Sequence, residues 1–518
     1  MNEWWRSAVV YEVYPRSFQD SDGDGIGDLK GIERRLDYLQ WLGVDAVWIA
    51  PFYPSPMVDF GYDVADYRDV HPLFGTMEDF DRLLAEAHRR GLRILIDFVP
   101  NHCSDTHPWF QEARASRDSP KRDWFVWRDP KPDGSPPNNW LSIFGGPAWT
   151  HDEATSQSYL HSFLKEQPDL NWRNTEVEAA MLDAMRFWLD RGVDGFRLDA
   201  LWAVIKDEAL TDNPRNPEFR EGESLGYLRV KPVYSGDRPE LMDVVRRMRA
   251  LADSYSGERL LIGEVYLPIE RLVSYYGENL DGVQLPFNFK LLQANWTAEE
   301  IDDTIRRYLA ALPPGAAPNW VLGNHDQSRI ASKLGREMAR AAAVLLFTLP
   351  GALTLYYGDE LGMTDVEIPP ERWQDPRNWT EPGFGRDPER TPMLWDGSAN
   401  AGFTTGEPWL PLSSDWRGIN VEAQRGDPAS MLELHRRLIT LRKAEPALVS
   451  GAYEPLGIEE GVLSFRRHYG GRSFLIRINF SDEARPLDLP PGAELVERSL
   501  PGDAPAFRPR EATVARLP

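Results

Sequence analysis

The chain has 518 residues, 42% hydrophobic and 27% charged, with a formal net charge of −23. That composition supports a large core and excludes global disorder, and the acidic balance excludes nucleic acid or an anionic membrane surface as the main partner, because both need basic patches. Cys103 is the single cysteine, so no intramolecular disulfide can form; the first residues lack a signal-peptide pattern and no apolar run has membrane-span length, which together predict a cytoplasmic protein.

Short β-branched runs alternate with helical patterns along the chain. Strands are predicted at residues 9–14, 46–50, 93–98, 195–198, 260–263, 282–285, 320–322 and 352–356. Between them, Thr76 is placed to cap a helix whose Phe80, Leu83, Leu84 and Ala87 share one face, with Gly91 as its stop. Thr175-Glu-Val-Glu178 reads as a capping box opening a helix that turns Val177, Ala180, Met181, Ala184, Phe187 and Trp188 inward and ends at Gly192. Repeated strand–helix alternation of this kind predicts an α/β fold, a (β/α)8 TIM barrel, whose chemistry sits on the loops after the strands.

Two intervals break the alternation. After the third strand, residues 103–172 are rich in Trp, Pro, Asn and Gly, too long for a bare loop, and are read as an inserted domain between barrel segments 1–102 and 173–445. A second insert is predicted at about 359–418, after the eighth strand. Residues 446–518 change character: two alternating runs flank Gly470-Gly471, a hairpin signal, and predict a C-terminal antiparallel β domain.

Three carboxylates fall where predicted strands run out into loops: Asp199 in Gly-Phe-Arg-Leu-Asp-Ala, Glu264 in Leu-Ile-Gly-Glu-Val, and Asp326 in Gly-Asn-His-Asp. Acids so placed suit glycoside hydrolysis, in which one protonates the leaving oxygen, one attacks the anomeric carbon, and further negative charge stabilises an oxocarbenium-like transition state. A single Asp at a strand end can equally cap the next helix. Arg197, two residues before Asp199, projects to the same side of its strand and can hold that carboxylate ionised and aimed. Asp97 is read as an acid that orients Arg197. Near the first strand, Asp20-Ser-Asp22-Gly-Asp24-Gly-Ile26-Gly-Asp28 alternates acids with glycines, a pattern suited to a hard cation such as Ca²⁺. It is not an EF-hand, since position twelve is Gly31 and no helix pattern precedes it.

Taken in order, these motifs resemble glycoside hydrolase family 13, the α-amylase clan. The matching stretches are Asp97-Phe-Val-Pro-Asn-His102, Gly-Phe-Arg-Leu-Asp-Ala at 195–200, Gly263-Glu264-Val265 and Asn324-His325-Asp326, while Gln167-Pro-Asp-Leu-Asn171 resembles the region that marks the oligo-1,6-glucosidase and α-glucosidase branch. The resemblance implies Asp199 as nucleophile, Glu264 as general acid/base and Asp326 as transition-state stabiliser, in a retaining mechanism whose two reacting carboxyls sit about 5–5.5 Å apart. It further implies that His102 and His325 hydrogen-bond the bound glucose, that Tyr62 stacks under the sugar, and that Asp59 and Arg390 pair across the pocket floor, restricting attack to the non-reducing end. Phe144 and Phe163 match apolar pocket positions, with buried packing as the alternative. The metal loop is implied to bind through the side chains of Asp20, Asp22, Asp24 and Asp28 and the carbonyl of Ile26, holding a structural Ca²⁺ (Mg²⁺ being the alternative ion); no organic cofactor is implied.

The expected activity is that of an exo-acting α-glucosidase on small neutral α-glucosides, tilted toward α-1,4 linkages such as maltose by the small Ala200, with transglucosylation as a second activity. The alternatives are a trehalose synthase or sucrose isomerase type of glucosyl transfer, and a non-catalytic subunit like the amino-acid-transporter heavy chains, which would need a membrane anchor and lost catalytic acids.

Overall fold

A computed structural model describes residues 3–518. The strands of the main sheet are β1 (Val9–Val13), β2 (Ala46–Ile49), β3 (Arg93–Phe98), β4 (Gly195–Leu198), β5 (Leu260–Gly263), β6 (Leu285–Pro286), β7 (Asn319–Val321) and β8 (Ala352–Tyr356). All pairings are parallel and run in the order β7-β8-β1-β2-β3-β4-β5-β6, so β1 pairs with both β2 and β8 and the sheet curls into a (β/α)8 barrel with one seam, between β6 and β7. The sixth strand is shorter and later than the sequence predicts. Gly282 and Val283 give their N–H groups to the carbonyls of Tyr276 and Tyr275 (2.8 and 3.0 Å), which leaves only Leu285 and Pro286 to join β5.

The two-residue period of the strands divides the core. Val10, Ala46, Trp48, Leu95, Ile262 and Val321 point into the barrel, whereas Val9, Tyr11, Val47, Ile49, Ile94 and Phe196 point outward to the helices. The same alternation carries Glu12, Trp48, Asp97 and Arg197 to the inner side at the C-terminal ends of β1 to β4, where they lie in register as Glu12 beside Trp48 and Asp97 beside Arg197. The barrel is therefore capped from within by charge, directly beneath the loops.

Helix α1 (Met77–Arg89) follows its sequence signals: Thr76 and Asp79 exchange the two bonds of a capping box and Phe80, Leu83, Leu84 and Ala87 are buried. Helix α2 (Thr175–Arg191) corrects one expectation. Its cap is Asn174, which accepts from the Glu176 N–H, rather than a box opened at Thr175; its stop, Gly192, has the left-handed φ of 102° expected of a C-terminal glycine. Met185 and Leu189 join its buried face, while Ala180 and Phe187 are only half-buried.

Within 103–172, Trp127–Arg128, Trp149–Asp152 and Gln157–Leu160 form a three-stranded antiparallel sheet with the last in the middle. The C-terminal sheet takes β9 (Ala452–Glu459), β10 (Val462–Tyr469), β11 (Arg472–Asn479), β12 (Glu494–Arg498) and β13 (Ala512–Leu517) in the antiparallel order β9-β10-β11-β13-β12. Tyr469 opposes Arg472, and Gly470 and Gly471 both adopt positive φ (57° and 83°), the two-residue hairpin that the glycine pair signals. This sheet rests on helix α3 (Ile330–Thr348), which packs in turn on α4 (Met431–Ala444). Among the described residues no helix is long and apolar enough to cross a membrane.

Candidate active site

The ladder hydrogen bonds continue one residue past β4 and β5. Asp199 N–H donates to the Phe98 carbonyl (2.8 Å) and Glu264 N–H to the Leu198 carbonyl (3.0 Å), so both acids leave neighbouring strands at the same level of the barrel. Beneath them lies Arg197, which is fully buried. Its Nη1 contacts Asp97 Oδ1 at 2.9 Å and Asp199 Oδ1 at 2.6 Å, and its Nη2 reaches Glu264 Oε2 at 2.9 Å. One planar fork thus sets two carboxyls side by side and is itself held by a third. Asp97 also accepts from Trp48 Nε1 and Tyr62 Oη, each at 3.1 Å, so it orients Arg197 as the sequence suggests. Glu264 Oε2 accepts a further bond, 2.6 Å, from the N–H of Ala200, which turns through a left-handed conformation (φ 41°, ψ 38°) just after Asp199.

Burial is the largest influence on these acids and pushes all of them up. Asp97 rises to about 6 despite the pull of Arg197. Asp199 and Glu264 both lie above the ordinary carboxyl range, because burial and the neighbouring negative charges outweigh the single guanidinium between them. Together the pair holds protons more tightly than two isolated carboxyls would. Asp326 behaves oppositely. Burial would raise it, but His325, when charged, and Arg386, Arg390 and Arg377 hold it well below the usual range. Since burial brings His325 down to about 3, the three arginines supply that effect at neutral pH.

The floor of the site differs from the sequence expectation. Asp59 does not pair with Arg390. Its partner is Arg386, through Nη2 to Oδ1 at 2.8 Å, with Gln167 Nε2 on the other oxygen at 3.1 Å. Arg390 instead donates to Asp326 Oδ1 (2.8 Å) and the His325 carbonyl (2.7 Å), and is covered over. The reason is a second anchor. Asp375 grips Arg386 from behind through Nε and Nη2, both at 2.8 Å, and aims its remaining donors at Asp59 and, at 3.0 Å, Asp326. Arg390 lies one short helical turn later, at the end of Pro388–Arg390, and points beneath. Gly385 was the available signal: a Cβ there would fall 1.8 Å from Asn378 Oδ1, so only glycine brings the chain close enough to present Arg386.

These groups line a cavity of about 250 Å³. Asp59, Tyr62, His102, Asp199, Glu264 and Asp326 all face it, as do Phe144 and Phe163. Phe144 also carries the guanidinium of Arg386 over its ring at 4.9 Å, so the same ring lines the cavity and packs against its floor. His102, brought down to about 4 by burial, is held by Tyr62 O and Gln167 on that wall. His325 is not on the wall. Its ring is sandwiched between Tyr14 and Tyr62, with Nδ1 2.5 Å from the buried Glu12 and Nε2 2.8 Å from Tyr62 Oη, so it supports Tyr62 from behind. Arg197 and Arg390 likewise stand behind the wall. The sequence does not single out Arg386, Asp375 or Glu12, nor the mouth residues Tyr227 and Arg377, which come from segments without a motif, nor Gln327, which directly follows the Asn324–Asp326 motif.

At the acidic loop, ligand oxygens of Asp20, Asp22 and Asp28 lie within 4.8 Å of one another, a convergent hard-oxygen set that fits a divalent cation. Asp24 is outside this set; its Oδ1 accepts from Ile26 N–H at 2.8 Å, closing a turn of the loop. The other acids are engaged in the same way, Asp20 accepting from the N–H groups of Asp22, Gly23 and Gly25.

Comparison with known proteins agrees with this architecture. Residues 12–451 match the family described as alpha amylase, catalytic domain. The chain is 44% identical over 506 residues to a probable alpha-glucosidase of Rhizobium meliloti, covering 94% of this chain and 91% of that one. Among solved structures it is similar to the alpha-glucosyl transfer enzyme XgtA (TM-score 0.94, 43% identity, all of both chains) and to the trehalulose synthase MutB of Pseudomonas mesoacidophila MX-45 (TM-score 0.89, 36% identity, 99% of both chains). With the barrel, the ordered motifs and these likenesses in agreement, the chain belongs to glycoside hydrolase family 13, the α-amylase clan, on its α-glucosidase and oligo-1,6-glucosidase branch.

Proposed function

We propose that this protein is a retaining, exo-acting α-glucosidase that releases glucose from the non-reducing end of short α-glucosides, favours α-1,4 linkages such as maltose, and also transfers glucosyl units to alcohols. The observation that carries the reading is the single Arg197 fork holding Asp199 and Glu264 together over a cavity closed by Asp59 and Arg386. In the first step Asp199 attacks the anomeric carbon while Glu264 gives its proton to the glycosidic oxygen, and the bond from carbon to that oxygen breaks. In the second, Glu264 takes a proton from water or an acceptor alcohol, whose oxygen displaces Asp199, and the α configuration is restored. The raised proton affinity of the pair favours a proton held between the two acids, and Arg197 opposes it at Asp199 and keeps that carboxyl aimed. Asp326, ionised and fixed by two arginines, stands where it can hold sugar hydroxyls and stabilise positive charge at the ring.

The Asp59–Arg386 pair is the stop that leaves room for one terminal sugar. His102 and Tyr62 line the glucosyl site, with His325, Arg197 and Arg390 acting through the side chains they hold. A Ca²⁺ or Mg²⁺ at Asp20, Asp22 and Asp28, completed by Asp24 and the Ile26 carbonyl, would tie the first loop; chelation should lower thermal stability and added Ca²⁺ restore it. A cytoplasmic location agrees with the lone, buried Cys103.

The test is chemical. Asp199→Asn and Glu264→Gln should each reduce turnover of an aryl α-glucoside by several orders of magnitude with the fold intact, and the glucose first released by the wild type should be the α anomer. Near-normal turnover in either variant, or the β anomer, overturns the reading. Maltose giving trehalose, or sucrose giving its isomers, in place of free glucose would favour the glucosyl-transfer alternative to which the likeness to MutB draws attention.

A further inference from the structure

The mouth of the cavity has a charge pattern unlike its base. Every carboxylate that lines the cavity belongs to the inner constellation of Asp59, Asp199, Glu264 and Asp326. Further out the wall is made by Leu225, Tyr227, Leu228, Gln293 and Gln327, all uncharged, together with one cation, Arg377. This cation stands apart from the other arginines of the site. Arg197, Arg386 and Arg390 each contact one or more carboxylates within 3.0 Å. The guanidinium of Arg377 forms no ion pair and no hydrogen bond with any described residue, and its Nε is buried without a partner. Its position is nonetheless fixed. The backbone is tied by Arg377 N–H to Asp375 Oδ1 (3.2 Å), and the guanidinium lies over the Phe144 ring at 4.7 Å, the ring that Arg386 also covers.

The rim beside it is equally built. Glu381, at the end of the short helix that Arg377 begins, accepts from the Gly226 N–H (3.2 Å), next to Tyr227. It also lies so close to Gly145 that a Cβ there would meet Glu381 Oε1 at 2.8 Å. Three loops therefore converge on Glu381 and hold Arg377 at the aglycone side of the cavity. Burial and the nearby charge of Arg386 act against the cation and lower its proton affinity, against the smaller opposing pull of Asp326, Asp375 and Asp59, none of which bonds to the guanidinium. A partly buried guanidinium with free donors, held beside a like charge and facing open space, is a site that an anion completes.

We propose that Arg377 is a specificity residue for the leaving and accepting group, selecting aglycones and acceptor alcohols that carry a carboxylate or phosphate beyond the glucosyl unit. The proposal rests on the α-glucosidase reading above and deepens it: the glucosyl end stays neutral while the group on the other side of the scissile bond is anionic. The planar fork matches a carboxylate or a phosphate, and the overall negative charge of the chain makes an unpaired arginine at the mouth a local exception that such a group would find.

The experiment compares 4-carboxyphenyl α-D-glucoside with its uncharged analogue 4-carbamoylphenyl α-D-glucoside on the wild type, Arg377→Gln and Arg377→Lys. The readout is the ratio of kcat/KM for the anionic over the neutral substrate, measured on one preparation, which cancels any general loss of folded enzyme. The ratio should fall by about tenfold or more in Arg377→Gln, the scale of one charge-assisted hydrogen bond, mainly through KM, and Arg377→Lys should recover part of it. Competitive inhibition by 4-hydroxybenzoate should weaken in parallel, while that by 4-hydroxybenzamide should not. A ratio unchanged within about twofold in Arg377→Gln would overturn the proposal and leave Arg377 as a binder of neutral hydroxyls or a support for Phe144. Failure of the wild type to release glucose from either glucoside would instead overturn the α-glucosidase reading.

Discussion

The arginines around the pocket and those beneath the C-terminal sheet are equally buried but neutralised differently. Arg197, Arg386 and Arg390 face carboxylates. Arg442 and Arg467, in α4 and β10, bond only to carbonyl oxygens: Arg442 to Phe347 (2.9 Å), Leu349 (2.7 Å), Leu448 (3.2 Å) and Gly351, and Arg467 to Leu448 and Gly451 (both 2.9 Å) and Thr348. Those carbonyls lie at and just beyond the C-terminus of α3 and around the turn before β9, where the orphan acceptors of a helix end carry partial negative charge. The contrast separates two uses of one side chain. In the pocket, full negative charges are needed for chemistry and arginine aims them. At the joint, backbone dipoles need satisfying and arginine bridges barrel and sheet. The dipoles compensate less well: burial brings Arg442 down to about 10, and burial together with the charge of Arg442 brings Arg467 to about 9.

The sharpest way to break this comparison is Arg197→Gln. It leaves Asp97, Asp199 and Glu264 without their cation and should lower kcat by at least about 10³. The folded state should lose roughly 3–5 kcal/mol, measured by denaturant unfolding. Turnover near that of the wild type would show that the carboxylates do not need the fork. Arg442→Met tests the other region. Losing the bridge should reduce stability by about 2–4 kcal/mol while kcat on an aryl α-glucoside persists at temperatures where the variant is folded. A collapse of kcat in that folded variant would mean that pocket and joint are not independent. Smaller again is Arg386→Lys, which cannot fork between Asp59, Asp326 and Asp375; KM should rise by about tenfold or more, and Arg390→Lys should raise it less. Equal effects would restore Arg390 as the floor residue.

The most specific test is a titration, whose effect is confined to stability. His435, in α4, is buried with Nδ1 on the Met431 carbonyl (3.0 Å), and burial lowers it from 6.5 to about 4. The unfolded chain takes up this proton near 6.5 and the folded chain only near 4, so folding is penalised progressively as pH falls between those values. His435→Gln lacks the penalty, so the stability of the wild type relative to that variant should fall by up to about 3 kcal/mol from pH 7 to pH 4. A pH-independent difference would show that the ring is already charged or solvated in the folded protein.

Much of the architecture was legible because it follows from local pattern. The runs that became β1 to β5 and β8 announce themselves by β-branched composition, Thr76 and Gly91 by capping chemistry, and the Gly470-Gly471 turn by its need for positive φ. Asp199 and Glu264 were legible because a barrel strand end fixes where their side chains go. Asp59's partner was not. Arg386 and Arg390 lie in one irregular loop, and only the grip of Asp375 on one of them, a contact between irregular segments, decides which reaches the pocket. The shift at β6 has the same origin: Tyr275 and Tyr276 capture N–H groups that strand propensity assigns to the barrel. Arg377 shows the limit most clearly, since its importance lies in contacts it does not make.

Ala200 has a consequence for how this enzyme could be remodelled. Its backbone sits in the left-handed region while its N–H binds Glu264, so the position that the family resemblance ties to linkage preference is also a strained turn. Valine there would add a β-branched side chain to a conformation such residues strongly resist, at a penalty of order 1–3 kcal/mol. A switch of linkage at this single position would therefore draw on folding stability and loosen the acid it touches, and lineages or designs that make it should carry a compensating change elsewhere in the turn.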